Sequence, residues 1–287
     1  MGLRYTVISA SSALLLATLL FTGGCQQSQY TAPTPTKFPA QASVASAHPL
    51  ATQAGMDILA EGGNAFDAAI AVASVLGVVE PYSAGIGGGG FWLLHRAADS
   101  KEVMIDAREK APLAATHDMY VNKDGKVNRD LAINGPLSAG IPGQPAAFAH
   151  IANSYGTLPL NRTLKHAIHH ADQGFQVDRV YLQLAAYRKK VLSRFPESHN
   201  TLITNNLTTD TVITQKDLAK TFRRLIAAEK ASSDLGRELA IRAARDCVYK
   251  GEIAEEIVDY FHQQGGLLTI EDLAAFSVGI ESPIKGQ

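Results

Sequence analysis

The chain has 287 residues, of which 46% are hydrophobic and 18% are charged, and its formal net charge is −1 at pH 7. The sequence has no cluster of Lys and Arg, which supply most of the affinity in phosphate binding, so a nucleic-acid partner is not expected. The two cysteines, Cys25 and Cys247, are too few for a disulfide framework or a cysteine-based zinc site. The length allows one large domain or two smaller ones.

Residues 1–24 have the pattern of a bacterial export signal. Arg4 gives the first residues a positive charge, and the apolar stretch 7–21 is too short to span a bilayer comfortably. The residues Thr22-Gly23-Gly24-Cys25 are similar to a lipobox, in which the cysteine is acylated and becomes the mature N-terminus, although Thr22 stands where Leu is usual. The alternative is a plain signal peptide that is cut near Gly24, with Cys25 incidental.

Residues 25–43 are interpreted as the lipidated Cys25 and a flexible tether. The segment 26–42 is polar and repeats Pro, so it cannot pack a core, and a tether directly after Cys25 favours lipidation. No Asp follows Cys25, which favours the outer membrane if lipobox sorting applies. We therefore expect a membrane-anchored lipoprotein of the bacterial periplasm, with its folded region at 44–287.

The first folded elements alternate between helix and strand. Pro49 suits the first turn of a helix that reaches residue 61, and Asn64 is a credible N-cap for a second helix over 65–79. That second segment is almost wholly Ala, Val, Ile and Leu, so its helix is expected to be buried. Strands over 91–96 and 102–106 are expected to pair as a hairpin. The sequence therefore predicts a layered α/β (α+β) arrangement.

The second half of the chain is mostly helical in pattern. Residues 131–148 are rich in turn formers and small residues, which predicts irregular, closely packed backbone. Thr269 is expected to cap a final helix, with Asp272 three positions on as in a capping box. Between these segments the sequence predicts helices over 145–154, 161–173, 178–193, 215–231, 233–249 and 252–264.

The glycine run from Gly85 to Gly90 matches the letters of a dinucleotide fingerprint, but its context is reversed. Such a fingerprint follows a strand and opens a helix, whose N-terminus meets the pyrophosphate. Here a helical pattern comes first and the aromatic strand 91–96 comes after. The run is therefore interpreted as a turn and not as a nucleotide site.

Three other groups of residues have side chains that could carry chemistry. Arg108 directly follows a predicted strand, where its guanidinium could bind a carboxylate or form an ion pair with Asp106 or Glu109. His166 and His170 share one helix face, but no other ligand accompanies them, so a solvated face is favoured over zinc. Thr208-Thr209-Asp210 is expected in a polar turn.

Several motifs together resemble one family. The chain resembles the N-terminal, large-subunit portion of the γ-glutamyltransferases, also called glutathione hydrolases, from about residue 44 to about residue 283. The block 78–91 carries the strongest part of the resemblance. The motifs, in order, are VASAHPLATQAGMDILAEGGNAFDAAIAVASVLGVVEP, SAGIGGGGF, DAREKAP, GIPGQPAA, YGTLP and LTIEDLAAF.

The resemblance implies an N-terminal nucleophile hydrolase with an αββα sandwich, of which only the large-subunit part is expected here, with a helix-rich second half. It implies no metal or organic cofactor. Gly87, Gly88, Gly89 and Gly90 would let a buried helix turn straight into a core strand, through close backbone approach and positive φ. Arg108 matches the arginine that holds the α-carboxylate of the glutamyl group.

The resemblance also implies chemistry that this chain does not complete. Family members cut themselves into two subunits and expose a threonine that attacks the γ-glutamyl amide of glutathione. That threonine, in a Thr-Thr-His context, is expected beyond Gln287, and Thr208-Thr209 lacks the histidine, so no catalytic residue is assigned in this chain. The expected partners are γ-glutamyl compounds and the small subunit. The alternatives are a cephalosporin (glutaryl) acylase-like member and a non-catalytic tethered lipoprotein.

Overall fold

The computed structural model describes residues 42–204 and 206–286. The predicted signal peptide, Cys25 and the tether up to residue 41 lie outside the described residues. In the described part, no helix combines the length and the apolar character that a membrane span requires.

Helices form most of the ordered structure. Single turns of other helical types lie at Pro136–Ser138, His199–Ile203 and Ser233–Leu235. In chain order the α-helices are Pro49–Ala60 (α1), Ala65–Val79 (α2), Arg129–Ile133 (α3), Gln144–Ser154 (α4), Leu160–Thr163 (α5), Lys165–Gln173 (α6), Arg179–Leu192 (α7), Pro196–Ser198 (α8), Lys216–Ala231 (α9), Arg237–Tyr249 (α10), Glu252–Gln263 (α11) and Ile270–Ala275 (α12).

Two small antiparallel sheets accompany the helices in the part of the chain that the structure describes. The larger has the order β1-β2-β5, and its central hairpin pairs Gly90 with Ala107 and Arg96 with Lys101. The smaller pairs β3 with β4. The strands are Gly90–Arg96 (β1), Lys101–Ala107 (β2), Phe175–Gln176 (β3), Val212–Ile213 (β4) and Gly279–Glu281 (β5). The predicted mixed α/β class, the hairpin and the order of the main helices are confirmed.

Three sequence predictions were wrong in detail. The helix expected over 233–249 begins at Arg237, because Gly236 has φ +90° and ends a separate turn before it. The helix expected over 161–173 is divided at Leu164, whose ψ of −4° departs from helical values. The irregular region 131–148 contains the end of α3 and the start of α4.

Helix α2 is the buried centre of the structure, as its composition predicts. Ile70, Ala71, Val75 and Val78 are completely buried. One face of the β1-β2-β5 sheet also packs into the core, where Trp92 meets Phe148 of α4 edge to face. Helix α4 thus covers the inner face of the sheet, and α2 lies among the helices behind it.

A buried carboxylate ties α2 to a distant loop. Asp67 is completely buried, yet it accepts hydrogen bonds from the backbone N–H groups of Asn64, Thr157 and Leu158 and from the Thr157 hydroxyl. The Asn64 side chain completes a capping box and donates to the Tyr155 carbonyl. The segments GGNAFDAA and YGTLP are therefore joined by one hydrogen-bonded network.

Replacing Asp67 should destabilise the protein strongly. Asp67→Ala should lower the free energy of unfolding by about 2–4 kcal/mol, because three backbone donors lose their acceptor. Asp67→Asn keeps one acceptor oxygen and should lose less. Denaturant unfolding measures both, with Asp259→Ala on the exposed side of α11 as the control. Equal stability of Asp67→Ala and the control would contradict the role of this network.

Histidines at the junction of α1 and α6 should make the protein acid-sensitive. Burial first, and then the neighbouring His169, His166 and His48, lower the pKa of His170 from 6.5 to about 4. Burial likewise lowers the pKa of His166, whose Nε2 lies 3.5 Å from Asp57. Between pH 6.5 and about 4, the unfolded chain binds more protons than the folded one, because His170 is protonated there only in the unfolded chain. The stability of the fold must therefore fall as the pH falls through this range.

This prediction can be checked by urea unfolding at pH 7, 6 and 5. His170→Gln should flatten the loss of stability over that range, because the group that protonates only on unfolding is gone. His117→Gln, at an exposed loop position, should leave the slope unchanged. Identical slopes for His170→Gln and the wild type would show that His170 is not the origin.

Candidate substrate-binding site

Arg108 emerges at the end of the central strand of the sheet. Strand β2 ends at the buried Ala107, and the Arg108 side chain is 55% exposed. Its backbone N–H donates to the Asp106 carboxylate at 2.9 Å, which shapes the turn that follows the strand. The guanidinium is therefore presented to solvent from a rigid base, an arrangement that suits a carboxylate ligand.

The carboxylate beside Arg108 is that of Glu109. Arg108 Nη2 lies 3.2 Å from Glu109 Oε2, which is the ion pair that the sequence left open, whereas Asp106 contacts only the backbone. The contact has the distance of an ion pair but not the alignment of a hydrogen bond, because Glu109 Oε2 remains buried without a hydrogen-bonded donor among the described residues. A partly exposed pair of this kind contributes about 0–1 kcal/mol, so the guanidinium can exchange it for a ligand.

The glycine run lies against this turn, but its glycines are not equivalent. A Cβ on Gly89 would stand 2.1 Å from the Ala107 carbonyl oxygen, and one on Gly88 would stand 3.3 Å from Glu109 Oε1. A Cβ on Gly87 or Gly90 would meet nothing within 4 Å. The expected close approach is thus found at Gly89 and more weakly at Gly88.

The expectation of positive φ in this run was wrong. The glycines with positive φ lie elsewhere in the described residues, at Gly62, Gly125, Gly135, Gly174, Gly236 and Gly265. The run needs glycine for space and not for a left-handed backbone. Its letters could not distinguish these two reasons.

A second loop, at residues 140–144, packs against the turn after β2. The sequence predicts only that the backbone there is closely packed. The N–H groups of Gly143 and Gln144 both donate to the Gly88 carbonyl at 2.9 Å, and the Ile141 N–H donates to Lys110 at 2.8 Å. A Cβ on Gly143 would stand 1.9 Å from the Ala107 oxygen. The turn formers and small residues of this region predict close packing but do not indicate which segment it packs against.

Two unpartnered acceptors concentrate at the same turn. In residues 42–204 and 206–286, four buried side-chain atoms lack a hydrogen-bond partner, and two of them are Glu109 Oε2 and Gln144 Oε1. Both residues border Gly88. Glu109 Oε2 has the Arg108 guanidinium as its ion-pair partner, whereas Gln144 Oε1 accepts no hydrogen bond among the described residues.

The other candidates have ordinary structural surroundings. In the described part of the chain, no group of three or more His, Cys, Asp or Glu side chains is placed to hold a metal ion. Thr208 accepts from the Asp210 N–H and bonds to Thr211 in the expected polar turn. Cys247 is half-buried in α10, where burial raises the pKa of its thiol and makes it less reactive.

Comparisons with known proteins define the class. The γ-glutamyltranspeptidase family model matches residues 51–287, and the chain belongs to that family. The glutathione hydrolase proenzyme of Escherichia coli (strain K12) is 36% identical over 249 residues, covering 86% of this chain and 40% of the relative. The chain thus spans about two fifths of the length of such curated relatives.

Solved structures show the same fold. The crystal structure of Helicobacter pylori γ-glutamyltranspeptidase matches with a TM-score of 0.78 and 32% identity, covering 88% of this chain and 69% of that one. The cephalosporin acylase from Bacillus halodurans matches with a TM-score of 0.67 and 30% identity, covering 88% of this chain and 47% of that one. The expected N-terminal nucleophile hydrolase architecture is therefore confirmed for this portion of the fold.

Proposed function

We propose that this chain is the substrate-binding part of a γ-glutamyltransferase that cleaves the γ-glutamyl amide of glutathione. The glutamyl group passes to water, an amino acid or a peptide. The observation that carries the proposal is the placement of Arg108, at the family's D-x-R-E position, on the exposed end of a core strand. Its planar guanidinium can hold the α-carboxylate of the glutamyl group through two parallel hydrogen bonds.

The bond-making step needs a nucleophile that the family resemblance places outside this chain. A threonine hydroxyl attacks the γ-carbonyl carbon while the threonine's own amine takes its proton. The C–N bond of the amide then breaks, the leaving amine gains that proton, and a γ-glutamyl ester remains until water or an acceptor amine displaces it. Within this scheme Arg108 holds the donor in place and takes part in no proton transfer.

One face of the β1-β2-β5 sheet exposes apolar side chains, which supports the proposal that a second polypeptide segment packs on it. Phe91 and Leu93 are 63% and 65% exposed, and Met104 pairs with Leu93 on the same face. Contiguous apolar side chains on a sheet face favour burial against another layer. We propose that the small subunit supplies this layer as the second sheet of the αββα sandwich.

A glutaryl acylase is the second candidate. The likeness to a cephalosporin acylase favours it, and Arg108 would serve either enzyme because glutaryl and γ-glutamyl groups both end in a carboxylate. The two groups differ by an α-ammonium. Comparing hydrolysis of γ-glutamyl-p-nitroanilide and glutaryl-p-nitroanilide therefore separates the candidates.

The native protein, purified with every chain that accompanies it, tests the proposal. We expect release of p-nitroaniline from the γ-glutamyl compound, and two masses under denaturing conditions, with the smaller chain starting at threonine. Faster release from the glutaryl compound would favour the acylase. A single chain that ends at Gln287 and releases nothing would instead favour a non-catalytic tethered lipoprotein.

Removing the guanidinium should weaken donor binding. Arg108→Ala should raise KM for the γ-glutamyl donor by about 10- to 150-fold, because a charge-assisted pair is worth roughly 1.5–3 kcal/mol. Arg108→Lys keeps the charge but loses the planar guanidinium, so its KM should lie between those of the wild type and Arg108→Ala. Arg96→Ala, in the ion pair with Asp99 at the other end of the hairpin, is the matched control. A wild-type KM for Arg108→Ala would refute the assignment.

We also propose that the protein is a lipoprotein of the bacterial periplasm, anchored to the outer membrane through Cys25. The sequence pattern of residues 1–43 supports this. Cys25→Ser should move the protein from the membrane fraction to the soluble fraction, while Cys247→Ser should leave it in the membrane fraction. Retention of Cys25→Ser on membranes would show that the anchor lies elsewhere.

A further inference from the structure

We propose that Gly140 and Gly143 are positioning residues for Arg108. Together with Gly88 and Gly89 they form what we call the glycine slot around residues 107–110. Gly88 and Gly89 form its first wall, and Gly140 and Gly143 form its second wall. The slot sets the direction in which Arg108 leaves the sheet. This inference rests on the proposed function and adds to it the residues that aim its substrate-binding arginine.

The tightest contacts of the slot converge on one atom. A Cβ on Gly143 would lie 1.9 Å from the Ala107 carbonyl oxygen, and one on Gly89 would lie 2.1 Å from the same oxygen. Both distances are far below any real Cβ contact. The carbonyl is thus held between two backbone segments that are far apart in the sequence and meet only in the folded protein.

The contacts continue on both sides of Arg108. A Cβ on Gly140 would lie 3.0 Å from Glu109 Cβ and 3.0 Å from the Lys110 carbonyl oxygen, and one on Gly88 would approach Glu109 Oε1 at 3.3 Å. The residues before and after Arg108 are therefore packed against glycine, while the Arg108 side chain projects into solvent. The constraint acts on the backbone that carries the guanidinium.

Hydrogen bonds close the slot. The Gly88 carbonyl accepts from both Gly143 and Gln144, which joins the two walls, and Ile141 bonds to Lys110, which joins the second wall to the enclosed segment. The walls therefore cannot separate to make room for a side chain without losing these bonds. An added methyl group must instead displace residues 107–110.

These positions require glycine because a side chain has no room there, and not because of their backbone conformation. Neither Gly140 nor Gly143 has a positive φ, so alanine meets no left-handed backbone strain at either position. Gly87, in the same run as Gly88 and Gly89, meets nothing within 4 Å. It is the matched control, because the same substitution there adds a methyl group without touching residues 107–110.

A Cβ at Gly143 requires the larger displacement, because it would lie 1.9 Å from the Ala107 oxygen, whereas contacts of 3.0 Å at Gly140 require a shift of a few tenths of an ångström. Misplacement by about 1 Å costs up to about 100-fold in rate. We therefore expect Gly143→Ala to raise KM for γ-glutamyl-p-nitroanilide by about 10-fold or more, and Gly140→Ala to raise it by about 2- to 5-fold. Gly87→Ala should keep the wild-type KM. The native protein with its accompanying chains is used throughout, and melting temperatures establish that each variant is folded.

A double-mutant cycle separates positioning from general damage. If the slot acts through Arg108, adding Gly140→Ala to Arg108→Ala should raise KM no further, because the group being aimed is already gone. A KM that rises by the same factor in both backgrounds would overturn the proposal, as would a folded Gly140→Ala variant with the wild-type KM. Should Gly143→Ala fail to fold, Gly140→Ala decides, since its contacts are less severe.

A second measurement does not depend on turnover. Amide hydrogen exchange of the peptide that spans residues 104–112 should accelerate in Gly140→Ala and remain unchanged in Gly87→Ala. Equal exchange rates in the two variants would show that Gly140 does not hold residues 107–110 in place, which would contradict the proposal. Absence of turnover by the wild-type protein would overturn the proposed function, and exchange would still decide whether the slot holds this segment.

Discussion

The Ala107 carbonyl oxygen lies between two glycines, and neither glycine has room for a Cβ. It lies at the end of the central strand, between Gly89, which leads into β1, and Gly143, which leads into α4. Any side chain at either glycine would overlap it, so the sheet, the turn after it and α4 can meet only where these side chains are absent. The packing of the end of the sheet against the start of α4 depends on that meeting.

A second constraint secures the helices behind the sheet. Burying a carboxylate is costly unless donors surround it, and Asp67 is surrounded by backbone N–H groups from its own helix cap and from the loop before α5. The same residues cap α2 and fix a loop that is distant in sequence. These directional hydrogen bonds add to the side-chain packing that fixes the orientation of α2.

The proposed substrate-binding site is built on this frame. The guanidinium of Arg108 is exposed just after β2, and the buried Glu109 Oε2 and Gln144 Oε1 form no hydrogen bond among the described residues. The uncovered Phe91 and Leu93 lie on the sheet that ends at this site. The proposed partner layer on this face would therefore also lie close to Arg108.

The sequence by itself determined the local structure: the Asn64 cap, the buried α2, the hairpin and the Thr269–Asp272 capping box, because each depends on neighbouring residues. It also determined the family and singled out Arg108. Only the tertiary structure decided which glycines matter, why they are glycine, and that GIPGQPAA encloses the turn after β2. Those facts depend on contacts between segments distant in the chain, and no local pattern records which glycine faces another backbone and which faces solvent.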